Sequence, residues 1–84
     1  MIVTLYARPG CHLCDRARDA ILALAEELGG IELREVDIES DDALLAAYLE
    51  RIPVVEVDGE VVDELEIDPD ELRPALAALH TVRR

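Results

Sequence analysis

Eighty-four residues hold one domain and leave no room for a second core. Half of the chain is apolar (51%), yet its only aromatic residues are Tyr6 and Tyr48, so the core must be built from Leu, Val, Ile and Ala, which suits packed layers of helix and sheet. A net charge of −12 argues against nucleic acid and anionic membrane surfaces as partners, and no apolar run approaches the ~20 residues of a membrane span.

The start, Met1-Ile2-Val3-Thr4-Leu5, lacks the basic flank and long apolar stretch of a secretory signal, so a cytoplasmic protein is expected. Residues 2–7 then form a short apolar run stopped by Pro9-Gly10, which predicts a buried strand. From Cys11 to Leu28 the residues Leu13, Ala17, Ala20, Ile21, Leu24 and Leu28 recur at helical spacing, and Gly29-Gly30 ends that helix. Ile31, Leu33 and Val36, with acids between them, predict a second strand over 31–37. Ser40 and Asp41 are caps for a short helix through Leu44, Leu45, Tyr48 and Leu49. Pro53 opens a strand at Val54–Val57, and Asp58-Gly59 is a two-residue hairpin turn into a strand from Glu60 to Leu65. Asp68-Pro69-Asp70-Glu71 supplies the cap, the first-turn proline and the acids of a last helix, with Leu72, Leu76 and Leu79 on one face. Pro74 either kinks that helix or marks its start.

The order β-α-β-α-β-β-α predicts an α/β fold. Two parallel strands joined by a crossover helix, then an antiparallel hairpin and a closing helix, make a four-stranded mixed sheet covered by helices. Charge is distributed unevenly over it. Residues 1–30 carry three Arg against four acids, whereas residues 31–84 carry five Arg against sixteen acids, so the cysteine-bearing part is nearly neutral.

Cys11 and Cys14 fall where the first strand meets the first helix. Two cysteines are too few for a disulfide scaffold, and a C-x-x-C pair in a reducing compartment is catalytic or metal-binding. Unsatisfied N–H groups and the positive end of the helix dipole stabilise a thiolate at that junction. One helical turn separates the two residues, within the ~4.4–6.8 Å between Cα atoms that a disulfide requires. Cys11 is therefore expected to be the exposed attacking thiolate and Cys14 the buried sulfur that resolves the mixed disulfide. Arg8 before the helix and His12 beside Cys11 add positive charge, and Asp15 disfavours a second thiolate at Cys14. A zinc site needs about four ligands, and beyond the cysteines only His12 and His80 are of the usual kind, so no metal is assigned. The alternative functions are a metal or iron–sulfur module shared between two chains through the same cysteines, and a non-catalytic interaction domain working through the acidic stretch 56–71.

Leu5-Tyr6-x-Arg8-Pro9-Gly10-Cys11-x-x-Cys14, the Arg51-Ile52-Pro53 step and the Asp58-Gly59 turn together resemble the glutaredoxin family, above all its short bacterial members, over nearly the whole of residues 1–84. The resemblance implies a thioredoxin-like fold and a thiol–disulfide oxidoreductase acting on protein or small-thiol disulfides. It implies a cis bond before Pro53, with Ile52 offering its backbone to the substrate, and Arg8, His12 and Arg51 beside it. No bound cofactor is implied; the partners are disulfide substrates and a thiol or flavoprotein reductant, with glutathione as a co-substrate, and the chain is expected to be a monomer. Where thioredoxins carry a tryptophan and a buried aspartate, this chain has Gly10 and Leu5. Its dithiol reads Cys-His-Leu-Cys rather than Cys-Pro-Tyr-Cys, and Asp63-Glu64 stand where the family places two glycines for the γ-glutamyl end of glutathione. Arg8 and Arg51 are matched to the other end of that ligand, so glutathione is expected to be a poor reductant.

Overall fold

In a computed structural model, which describes residues 1–82 and side chains as far as residue 79, strand β1 (Ile2–Ala7) leads into helix α1 (His12–Leu28) and strand β2 (Glu32–Asp37). A 3₁₀ turn at Ile38–Ser40 precedes helix α2 (Asp42–Tyr48), followed by the hairpin of β3 (Val54–Val57) and β4 (Glu60–Glu64) and by helix α3 (Pro69–Val82). The sheet runs β2-β1-β3-β4. β1 is parallel to β2 and β3 is antiparallel to β4, as expected from the sequence, and the two pairs join where β1 runs antiparallel to β3.

Alternation along the strands divides the sheet into two faces. Val3, Leu5 and Ala7 of β1 and Val55 and Val57 of β3 are buried against Cys14, Ala17, Ile21 and Leu24 of α1 and Leu72 and Leu76 of α3. Each such fully buried aliphatic side chain contributes about 1.5–3 kcal/mol relative to exposure. On the opposite face Tyr6, half buried, stacks on Tyr48 of α2 with ring centroids 4.7 Å apart. The hairpin turn uses left-handed backbone at both central residues, Asp58 (φ 48°) and Gly59 (φ 92°), the twist that suits a two-residue loop. Asp58 is also tied to the start of β1: its N–H donates to the Ile2 carbonyl and its Oδ1 accepts from the Ile2 N–H, both at 2.9 Å.

The structure departs from the sequence reading at three places. Leu13 does not join the core face of α1 but stays 42% exposed, because the buried stripe starts at Cys14. The turn at Ile38–Ser40 separates β2 from α2, held by Asp37, whose Oδ1 accepts from the Glu39 N–H at 2.9 Å. β4 ends at Glu64, and Leu65 turns to a left-handed φ of 68°. α3 starts at Pro69, as expected from the sequence, but runs on through the exposed Pro74 rather than starting there. His80, weighed above as a metal ligand, lies outside the residues whose side chains are described.

Candidate active site

The C-terminal end of β1 feeds the loop that carries the dithiol. Gly10 adopts φ 80°, a conformation that costs glycine little, and this turns the chain so that Cys11 becomes the N-cap of α1. The Cys11 Sγ accepts from the Cys14 N–H at 3.1 Å, and the Cys11 carbonyl accepts from Asp15 N–H at 3.1 Å. The cysteine therefore uses its sulfur where a Ser or Asp cap would use oxygen. Cys11 and Cys14 are joined in a disulfide with their Cα atoms 5.2 Å apart. Cys11 is half buried, whereas Cys14 is fully enclosed by the core. The two sulfurs are thus unequal in access.

The strand register brings a second segment to the same end of the sheet. Tyr6 pairs with Val54, and Val54 with Glu64, so Ile52-Pro53 and Leu65 lie just beyond this row, at the end from which the dithiol loop leaves β1. The Ile52–Pro53 bond is cis, Pro53 is fully buried, and Cys11 and Ile52 both pack against the same core cluster. The Ile52 N–H donates to the Tyr48 carbonyl at 3.0 Å, so this backbone donor is engaged within the chain.

The charged residues named from the sequence are engaged within the chain. Arg51 donates from Nε (2.9 Å) and Nη2 (2.6 Å) to Glu64 Oε2, and its guanidinium lies 5.1 Å from the Tyr48 ring centroid. Arg8 meets Glu39 at 3.3 Å. Asp15 pairs with Arg18 at 2.9 Å, and Arg18 also bonds Glu35, whose carboxyl it holds below the usual carboxylate range. His12 is exposed on the first turn of α1. Asp63 Oδ1 accepts from the Glu64 N–H at 2.9 Å. Behind this row, burial, then a hydrogen bond to Glu56 and its negative charge, push the Tyr6 phenol up to about 12. Among the described residues, no group of three or more His, Cys, Asp or Glu side chains comes together as a metal site.

Two residues at this end of the sheet escape a reading of the sequence. Arg16, on the second turn of α1, is the one described arginine that no carboxylate meets. Leu65 is 49% exposed although its backbone is left-handed, a conformation that costs a branched side chain about 1–2 kcal/mol. Its N–H donates to the carbonyls of Pro53 (2.9 Å) and Arg51 (3.2 Å), which fixes it to the cis-proline segment. The only trace of this in the sequence is a leucine following the two acids Asp63-Glu64.

Comparison with known proteins agrees with this geometry. A family model described as Glutaredoxin-like domain (DUF836) matches residues 2–77. An uncharacterized protein of Mycobacterium tuberculosis is 31% identical over 80 residues, covering 89% of this chain and 81% of that protein. The X-ray structure of a structural-genomics target protein from X. campestris is 40% identical, covering 90% of this chain and 96% of its own, with a TM-score of 0.75. A mutant thioredoxin from Halobacterium salinarum, 23% identical, shares the fold with a TM-score of 0.67 over 92% of this chain and 72% of its own.

Proposed function

The chain belongs to the glutaredoxin-like domain family and has the thioredoxin fold, and from that premise we propose that it is a dithiol–disulfide oxidoreductase acting through Cys11 and Cys14. The observation that carries the reading is the asymmetry of the pair: a half-exposed sulfur at a helix N-cap, disulfide-bonded to an enclosed one a turn later.

In the reduced protein the Cys11 thiolate attacks one sulfur of a substrate disulfide, and the other sulfur leaves as a thiolate that takes up a proton. Cys14 then loses its proton and attacks the Cys11 Sγ. The second substrate thiolate departs, and the Cys11–Cys14 disulfide of the present structure forms. Two electrons pass from the dithiol to the substrate. The N–H of Cys14, 3.1 Å from the Cys11 Sγ, together with the α1 dipole, stabilises the attacking thiolate. The Ile52 carbonyl and the buried Pro53 form the edge against which the substrate chain lies. A thiol or flavoprotein reductant regenerates the dithiol.

Intact-mass trapping with a disulfide substrate tests the assignment. Cys14→Ser should accumulate a mixed disulfide on Cys11, and Cys11→Ser should form none and lose turnover. An adduct on Cys11→Ser with none on Cys14→Ser would reverse the roles.

A further inference from the structure

The chain has two aromatic residues, and they meet each other outside its aliphatic core. The Tyr48 ring stacks on Tyr6 with centroids 4.7 Å apart and planes inclined by 26°, and the Arg51 guanidinium lies over it at 5.1 Å. Rings paired at this separation attract each other beyond the area they bury. For α2 the contact matters more than usual. The helix has seven residues and none of them is fully buried, so little aliphatic packing fixes it to the sheet.

Tyr48, the last residue of α2, also holds the chain that follows. Its carbonyl accepts from the Arg51 N–H at 2.8 Å and from the Ile52 N–H at 3.0 Å. Pro53 is placed by the strand it opens, but Arg51 and Ile52 lie before that strand and outside its ladder. They depend instead on the Tyr48 carbonyl and on the Leu65 N–H, which donates to Arg51 O at 3.2 Å. The other ring has a firm base. Tyr6 is paired through its backbone register with Val36 and Val54, its phenol is hydrogen-bonded to Glu56, and its strand leads into the dithiol loop. The stack therefore ties the strand that carries Cys11 to the two residues just ahead of Pro53.

We propose that Tyr48 is a positioning residue: stacked on Tyr6, it holds Arg51 and Ile52 in place relative to the dithiol, so that a disulfide substrate meets Cys11 already aligned. This rests on the oxidoreductase reading above and adds a residue to the same site. Neither ring touches the reacting sulfurs, so the role is exerted through the backbone of Arg51 and Ile52.

The test is steady-state reduction of a synthetic peptide disulfide with dithiothreitol as the reductant. Tyr48→Leu, which keeps an apolar helix-forming side chain but loses the stack, should raise KM about fivefold with kcat within about twofold. Tyr48→Phe keeps the stack and should keep the wild-type KM. Alkylation of reduced Cys11 by iodoacetamide, which does not use the docking segment, should stay within about twofold in both variants. Amide hydrogen exchange at Arg51 and Ile52 should quicken in Tyr48→Leu while the amides of α1 keep their protection. Tyr6→Leu removes the same stack from the strand side and should reproduce the KM rise, so it decides the matter where Tyr48→Leu does not fold. An unchanged KM in the leucine variants, an equal loss in alkylation rate, or failure of both to fold overturns the inference and leaves the oxidoreductase reading intact. A wild-type protein that does not turn over the peptide overturns both.

Discussion

Replacing Glu64 by Gln should raise the protein's reduction by glutathione, through Arg51. In the folded chain both contacts of the guanidinium go to one carboxylate oxygen, at 2.6 and 2.9 Å, and the two side chains keep 43% and 39% of their exposure. An ion pair so open to solvent is worth about 0.2–1 kcal/mol, so its loss should lower the melting temperature by at most about 8 °C. Once released, Arg51, next in sequence to Ile52-Pro53, is an available cation beside the cis-proline segment. Glutathione is a net anion, and one carboxylate drawn to ~4 Å from that guanidinium at an effective dielectric of 20 gains about 4 kcal/mol before solvent and ions screen it. Screening leaves about 1–2 kcal/mol, or roughly a five- to thirtyfold rise in kcat/KM for glutathione. The assay is glutathione-coupled disulfide reduction, with dithiothreitol as an uncharged reductant that should remain unaffected. Raising the ionic strength should shrink the gain. An unaltered kcat/KM for glutathione in a variant that dithiothreitol reduces normally would refute the reasoning, because the cation would have been released without effect.

Tyr6 should titrate near about 12 in the folded protein, above its ordinary value, because burial and Glu56 oppose its ionisation. Its raised pKa contributes stability that is fully present below the unfolded value of ~10 and is lost as pH rises toward the folded one. Ultraviolet titration of Tyr48→Phe checks this, and a midpoint near ~10 without unfolding would contradict it. Ile21→Ala, in a side chain with 0% exposure at the α1–sheet contact, should cost about 2–5 kcal/mol in denaturant unfolding. A loss below ~1 kcal/mol would show that α1 is not packed on the sheet as described. The trapping experiment on Cys11→Ser and Cys14→Ser completes the set.

The elements legible in the sequence are those with local punctuation. Pro9-Gly10, Gly29-Gly30 and Asp58-Gly59 are covalently built breaks, and β1, α1 and the hairpin end where they stand. The dithiol is legible from its spacing at the junction of strand and helix, and the cis bond at Ile52–Pro53 through the family resemblance; both occur in the structure. What the sequence hid depends on contacts formed only after folding. Arg51 and Glu64 are thirteen positions apart, and Arg8 and Glu39 thirty-one, so no periodicity announces that these cations are already engaged. Leu65 reads as a strand residue until the carbonyls of Arg51 and Pro53 capture its N–H and turn it out of the ladder. Leu13 fits the apolar spacing of α1, yet it lies one residue before Cys14, where the buried stripe begins.

The order β2-β1-β3-β4 leaves two strands with an open side, and the acids are concentrated on them. β1 carries no charge and β3 one acid, whereas β2 carries Glu32, Glu35 and Asp37 against the single Arg34, and β4 carries Glu60, Asp63 and Glu64. An open strand is a template on which another polypeptide can add itself, and like charges and irregularities are the usual protection. On β4 the register shift opposite Val55 and Glu56 leaves Val62 outside the ladder, a bulge that further spoils the rim for pairing. A second copy approaching the β4 rim would bring carboxylates against carboxylates at strand spacing. The negative charge of this chain thus gathers on the two strands where another polypeptide could add itself, and the inner strands stay almost free of it.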